Sequence, residues 1–136
     1  MEAAKERNAA STFLGIATAI QSVHFAEEWV TGFHIRFPAL LGLDPMPMSF
    51  FVAFNLVWIG FWIASVPSLR IGRRLAFFAA WFLAIAGVLN GVAHPMMAIA
   101  SGGYFPGLIT SPFIGIAGVI LWQRLHRATS MTTRVA

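Results

Sequence analysis

The chain of 136 residues has no cysteine, a single tyrosine and only 10% charged residues. The missing cysteines exclude disulfides and thiolate chemistry, and they leave the redox compartment open. A charged fraction this low is less than half of the roughly 25% usual in a soluble domain. Five Asp and Glu stand against nine Lys and Arg, for a net charge of +4. The basic residues are scattered: Lys5, Arg7, Arg70, Arg73, Arg74, Arg124, Arg127 and Arg134 all flank apolar runs. That is where topology-setting charges sit, so no nucleic-acid partner is expected. With 58% of its residues hydrophobic, the chain is not disordered either. A soluble domain this small could not hide so much apolar surface. Composition therefore predicts an integral membrane protein, with residues 1–136 forming a single domain.

Four apolar stretches are near the roughly 20 residues that a spanning helix needs, at about 10–33, 49–67, 75–100 and 108–125. Pro45 to Leu69 carries no charge, and Leu75 to Gln123 carries none over a length too great for one span. The segment from Ser101 through Gly102, Gly103 and Pro106 to Gly107 supplies the break. Phe37-Pro38 through Pro45-Met46-Pro47 reads as a loop, with Ser49 as a helix N-cap. Ala17-Thr18-Ala19 resembles a signal-peptide cleavage site, but Ser11, Thr12 and Gly15 weaken the apolar run before it, so the first helix is expected to stay. Arginines are concentrated in the loop around residues 70–74 and in the C-terminal tail, whereas the loop between helices 1 and 2 has only Arg36, beside Asp44, and that between helices 3 and 4 has none. The predicted fold class is all-α: a four-helix transmembrane bundle with both termini cytoplasmic, placed in a bacterial-type inner (cytoplasmic) membrane.

Against this background the polar residues stand out. Gln21, His24, Glu27 and Glu28 lie in the first helix, with His24, Glu27 and Glu28 within about a 100° arc. A charge at mid-bilayer costs about 2.5–3.5 kcal/mol on insertion scales. Two adjacent glutamates therefore call for a bound cation, a buried partner or protonation. Asn90 and His94, four apart, share one face of the third helix. At 1.5 Å rise per residue both sets reach a similar height in the outer half of the membrane. Asn55 comes close to that level from the second helix, and Tyr104 sits at the outer mouth.

Two imidazoles and a carboxylate suit a divalent metal, Zn or Fe, with a position left open for water or substrate. The expected ligands are His24, Glu27 and His94. Glu28 is then the general base, Asn90 the orienting group and Tyr104 a hydrogen-bond donor at the entrance. A di-metal site would need ligands shared in a homo-oligomer.

Three motifs carry a family resemblance. His24-Phe25-Ala26-Glu27-Glu28 matches H-x-x-E-E, Asn90 to His94 matches N-x-x-x-H, and Tyr104-Phe105-Pro106-Gly107 matches Y-x-P-G. In that order they resemble the HXXEE-motif family of small integral membrane proteins. The resemblance implies that His24, Glu27, Glu28, Asn90, His94 and Tyr104 form a polar signature, and it implies no reaction. Adjacent glutamates also occur in CAAX-type intramembrane proteases, whose motif continues E-E-x-x-x-R. Here Gly32 stands in the arginine position and Asn90 where F-x-x-x-H needs phenylalanine, so that activity is not carried over.

Plainer readings stand beside these. The polar residues of both helices could simply hydrogen-bond across the bundle, Tyr104 could be an interfacial anchor, and His34 and His126 read as interfacial. Phe54, Trp58, Trp62 and Phe82 read as packing and lipid contact, while Gly87, Gly91, Gly115 and Gly118 read as close helix packing. The leading expectation is a membrane-embedded metal-dependent enzyme acting on a lipid-like or hydrophobic small molecule near the outer face, most simply by hydrolysis. The alternative is a non-enzymatic accessory or ligand- or pigment-binding subunit of a larger membrane complex. A proton relay is disfavoured, because little polar lies below Gln21 beyond Thr18 and Ser11.

Overall fold

The computed structural model describes residues 1–133, with side chains through Ser130, and Arg134 lies outside the described residues. Five helices and no strand occur among them: α1 (Glu2–Val30), α2 (Phe33–Leu40), α3 (Met48–Arg70), α4 (Arg74–Ala100) and α5 (Ser111–Thr133). The four expected helices are present, but their ends differ from the edges of the apolar runs. α1 continues back through Arg7, Glu6 and Lys5, and α5 continues forward through Arg124 and Arg127. Helical hydrogen bonding does not stop where hydropathy falls, since Lys, Arg and Glu are themselves good helix formers. Ser49 is no cap; α3 opens at Met48 after Pro47.

The segment read as a loop contains α2, with Pro38 inside it. Proline cannot donate to the carbonyl four residues back, here that of His34. The Met46 N–H takes that acceptor instead, at 2.8 Å. The chain after α2 thus supplies the bond that the proline withholds, which is why the short helix tolerates it.

α4 packs on α5, α1 on both α5 and α3, and α3 on α4. The core is built largely of small residues on α4, with Ala76, Ala79, Ala80 and Ala84 fully or almost fully buried against Leu14, Leu69, Ile114 and Leu121. The α4–α5 seam is closer still. A Cβ on Gly91 would lie 2.8 Å from the Gly115 Cα, and one on Gly118 would lie 2.8 Å from the Ala84 carbonyl oxygen. The glycines expected to pack do so, backbone against backbone.

α3 and α4 are long and apolar enough to cross a membrane. Of the most apolar 18 residues in each, only 17% and 33% are buried inside the chain. At one end of the bundle Arg7 Nε donates to the Arg70 carbonyl at 3.2 Å, and the Arg124 guanidinium lies 5.1 Å from the centre of the Phe13 ring. The polar residues of the sequence motifs gather at the other end.

Candidate metal centre

α1 and α4 each bring one histidine into the interior, His24 fully buried and His94 1% exposed. Their rings meet edge to face with centroids 4.8 Å apart. Glu28, also buried, completes the group: its Oε1 lies 3.6 Å from His24 Nε2 and 3.3 Å from His94 Nε2. One ligand atom from each of the three residues lies within 4.8 Å of the others.

Hydrogen bonding on the far side of each ring decides what these nitrogens can do. His94 Nδ1 is 2.7 Å from the Pro106 carbonyl oxygen, which can only accept, so Nδ1 carries the proton and Nε2 offers a lone pair. His24 Nδ1 is 2.7 Å from Thr110 Oγ1. That hydroxyl already donates its one hydrogen to Glu27 Oε2, so it accepts from His24, whose Nε2 is again a bare lone pair. This Nε2 is buried with no hydrogen-bond partner. With both imidazoles neutral, two lone pairs and a carboxylate oxygen converge with no donor among them, an arrangement that a cation at their centre, a shared proton or a metal ion, would relieve. Two ligands about 2.0–2.1 Å from one tetrahedral ion stand about 3.3–3.4 Å apart, close to both nitrogen–oxygen separations. The residues fit a divalent ion.

Glu27 lies elsewhere. Its carboxylate accepts from the Tyr104 hydroxyl at 2.6 Å, the Ile109 and Thr110 N–H groups at 3.1 and 2.8 Å, and the Thr110 hydroxyl. Those N–H groups lie at the entry to α5, where the positive end of the helix dipole favours an anion. Of the two glutamates, Glu28 shares the cluster and Glu27 ties α1 to the start of α5. Helical arithmetic explains the division: Glu28 is about 40° from the azimuth of His24, and Glu27 about 60° away on the other side. Burial, and then the bond to Glu27, push the Tyr104 phenol above its ordinary range, so it remains a donor at neutral pH.

The bond that holds the His94 ring runs to Pro106. Asn90, one turn before His94, opens instead on a cavity of about 350 Å³ shared with Gln21, Glu28 and Asn55. Asn55 Nδ2 donates to the Phe51 carbonyl. His34 is buried against Phe51 rather than placed at a surface, and His126 is exposed on α5.

Two contributors were not legible as site residues. Thr110 carried no signal beyond preceding Ser111-Pro112, a plausible helix start. Gly107 was noted only inside Y-x-P-G. At φ +85°, a Cβ there would lie 2.6 Å from the His94 ring and 2.9 Å from that of His24. Only glycine lets the backbone pass over both imidazoles.

Residues 15–122 match the family described as proteins of unknown function with an HXXEE motif. The chain belongs to that HXXEE-motif family. The motif that names the family is His24 to Glu28, so its histidine and second glutamate are two members of the cluster and its first glutamate is the tie to α5. No curated protein and no solved structure matches the chain.

Proposed function

We propose that this protein is a multi-pass membrane enzyme that holds one divalent ion, zinc or iron, at His24, Glu28 and His94. It acts on a lipid-like or hydrophobic small molecule that reaches the ion through the adjoining cavity. The observation that carries this reading is the convergence of two tautomer-fixed imidazoles and a buried carboxylate at the edge of that cavity. The sparse burial of α3 and α4 supports two spans, and α1 and α5, packed against them, complete four in this reading. Arginines gathered at the opposite end support cytoplasmic termini and a site near the outer face of an inner membrane.

Three protein ligands leave a coordination position open, as in catalytic zinc sites. A bound ion there would supply hydroxide near neutral pH by lowering the pKa of its water. Hydrolysis of an ester is then the simplest reaction, with hydroxyl going to the acyl carbon and a proton to the departing oxygen. Glu27, Thr110 and Pro106 orient the two rings, and Tyr104 donates to Glu27 at the rim.

Elemental analysis of detergent-purified protein tests the centre. The expected result is about one zinc or iron per chain, lost in Glu28→Gln and in His94→Ala. Absence of metal from the unaltered protein overturns the reading. The aromatic cavity also favours a second reading, a ligand- or pigment-binding subunit of a larger membrane complex. Stoichiometric copurifying proteins or a coloured ligand, with metal absent, would select it.

A further inference from the structure

The cavity has a polar end and an aromatic body. At the polar end Gln21 is 6% exposed, and its Oε1 is buried without a hydrogen-bond partner. An orphaned buried acceptor is rare in a folded chain, and the residue that carries this one is part of the cavity wall. Asn90 lines the same end, and its side chain makes no hydrogen bond to another described residue. Glu28 belongs to the cluster, and its Oε1 faces His24 and His94. No lysine or arginine lines the cavity. The chemistry on offer is therefore two neutral amides: donors for a carbonyl, and an acceptor in search of a hydroxyl or N–H.

The body of the cavity is walled by Phe54, Trp58, Trp62 and Phe82. Trp58 and Phe82 stack on each other at 4.1 Å with an interplanar angle of 11°. The two rings thus fill one another's faces and leave no slot between them for a planar ligand, whereas a flexible chain can lie along their edges. Phe54 on α3 and Phe82 on α4 are also 50% and 37% exposed. The cavity therefore opens sideways between α3 and α4, the two helices apolar enough to face lipid.

We infer that this cavity binds an uncharged single-chain lipid whose head carries a hydroxyl or carbonyl. The head lies at Gln21 and Asn90, and the chain leaves between α3 and α4 past Trp58 and Phe82. The inference rests on the proposed function and names its substrate class: a long-chain alcohol or its ester. The polar end sets head chemistry by hydrogen bonds, because a site that must satisfy Gln21 penalises a ligand that cannot. In the metal-free protein an anionic head finds no cation there, only the Glu28 carboxylate.

Tryptophan quenching by dibromo-octadecanol in detergent tests it, on protein stripped of metal by a chelator. The expected result is saturable quenching at about one alcohol per chain, in the volume range of ordinary small-molecule sites. Trp58→Phe and Trp62→Phe together should lose most of the saturable quenching amplitude, since both rings wall the cavity. Gln21→Leu and, at a half-buried position, Asn90→Leu should each weaken binding about tenfold. Dibromostearate, bearing a charged head, should quench only as weakly as dibrominated phosphatidylcholine. Quenching that rises linearly without saturation, or equal binding of the carboxylate, overturns the inference. The two readings fail separately. Saturable alcohol binding in a protein that never holds metal keeps the lipid site and removes the metalloenzyme, and stoichiometric metal without saturable quenching does the reverse.

Discussion

At the scale of single residues, the candidate site depends on atoms outside the His24, Glu28 and His94 group itself. Thr110 is the clearest case, because one hydroxyl accepts from His24 and donates to Glu27. Replacing such an outer partner costs about 10–100-fold in metal affinity. We predict that loss for Thr110→Val, with Thr110→Ser close to the unaltered protein, both read by chelator competition. Equal affinity in Thr110→Val would remove the relay as the device that fixes His24. Gly107→Ala tests a different constraint. Its left-handed backbone alone costs an L-residue about 1–2 kcal/mol, and its Cβ would push on both rings. The expected outcome is a lower melting temperature together with weaker metal binding; a normal value of either contradicts the close passage. Sequence made the polar set legible, but the ligands expected were His24, Glu27 and His94 with Glu28 as general base, whereas Glu28 is the glutamate that meets both histidines. Which glutamate faces His94 was not legible, because that depends on where α5 begins. Glu27 is drawn away by two N–H groups of a segment read as already helical from residue 108.

At the scale of elements, glycine placement decides how the site is held. α5 carries Thr110 at its threshold, and α4 carries His94, so the spacing of these helices fixes the geometry of the cluster. That spacing is set by Gly87 and Gly91 against Gly115 and Gly118. We predict that Gly91→Ala, with its Cβ 2.8 Å from the Gly115 Cα, destabilises by about 1–3 kcal/mol through overpacking. It should also weaken metal binding, because moving α5 moves Thr110. Gly60→Ala is the control, since a Cβ there meets nothing within 4 Å; it should be neutral or slightly stabilising. Thermal unfolding in detergent compares the two, and equal melting temperatures would show that the seam is not tight. The long helices were legible from hydropathy because their apolar runs fill whole spans. α2 was not, because Pro38 and the surrounding prolines read as breakers. Its stability comes from Met46, beyond the helix, whose N–H a propensity argument does not see.

At the scale of the whole molecule, the polar cluster lies at the end opposite Arg7, Arg70 and Arg124, while Arg36 stands at the cluster end over the Phe105 ring. On the proposed membrane reading this arrangement ties orientation to function, because positive-inside counting would put the arginine-rich end in the cytoplasm and the cluster near the outer face. The absence of cysteine makes the prediction direct to test, since any introduced thiol is the only one. Ser101 follows α4 at the cluster end, Ser130 lies near the end of α5 beyond the arginines, and both are exposed. In intact bacterial cells expressing each variant, Ser101→Cys should react with a membrane-impermeant maleimide. Ser130→Cys should react only after the membrane is opened. The reverse pattern would keep the spans but put the cluster on the cytoplasmic side, so that its substrate would come from the inner leaflet. Recovery of both variants in the soluble fraction would remove the membrane reading altogether. Without lipid as the source, a cavity open between α3 and α4 would have no reason to face sideways.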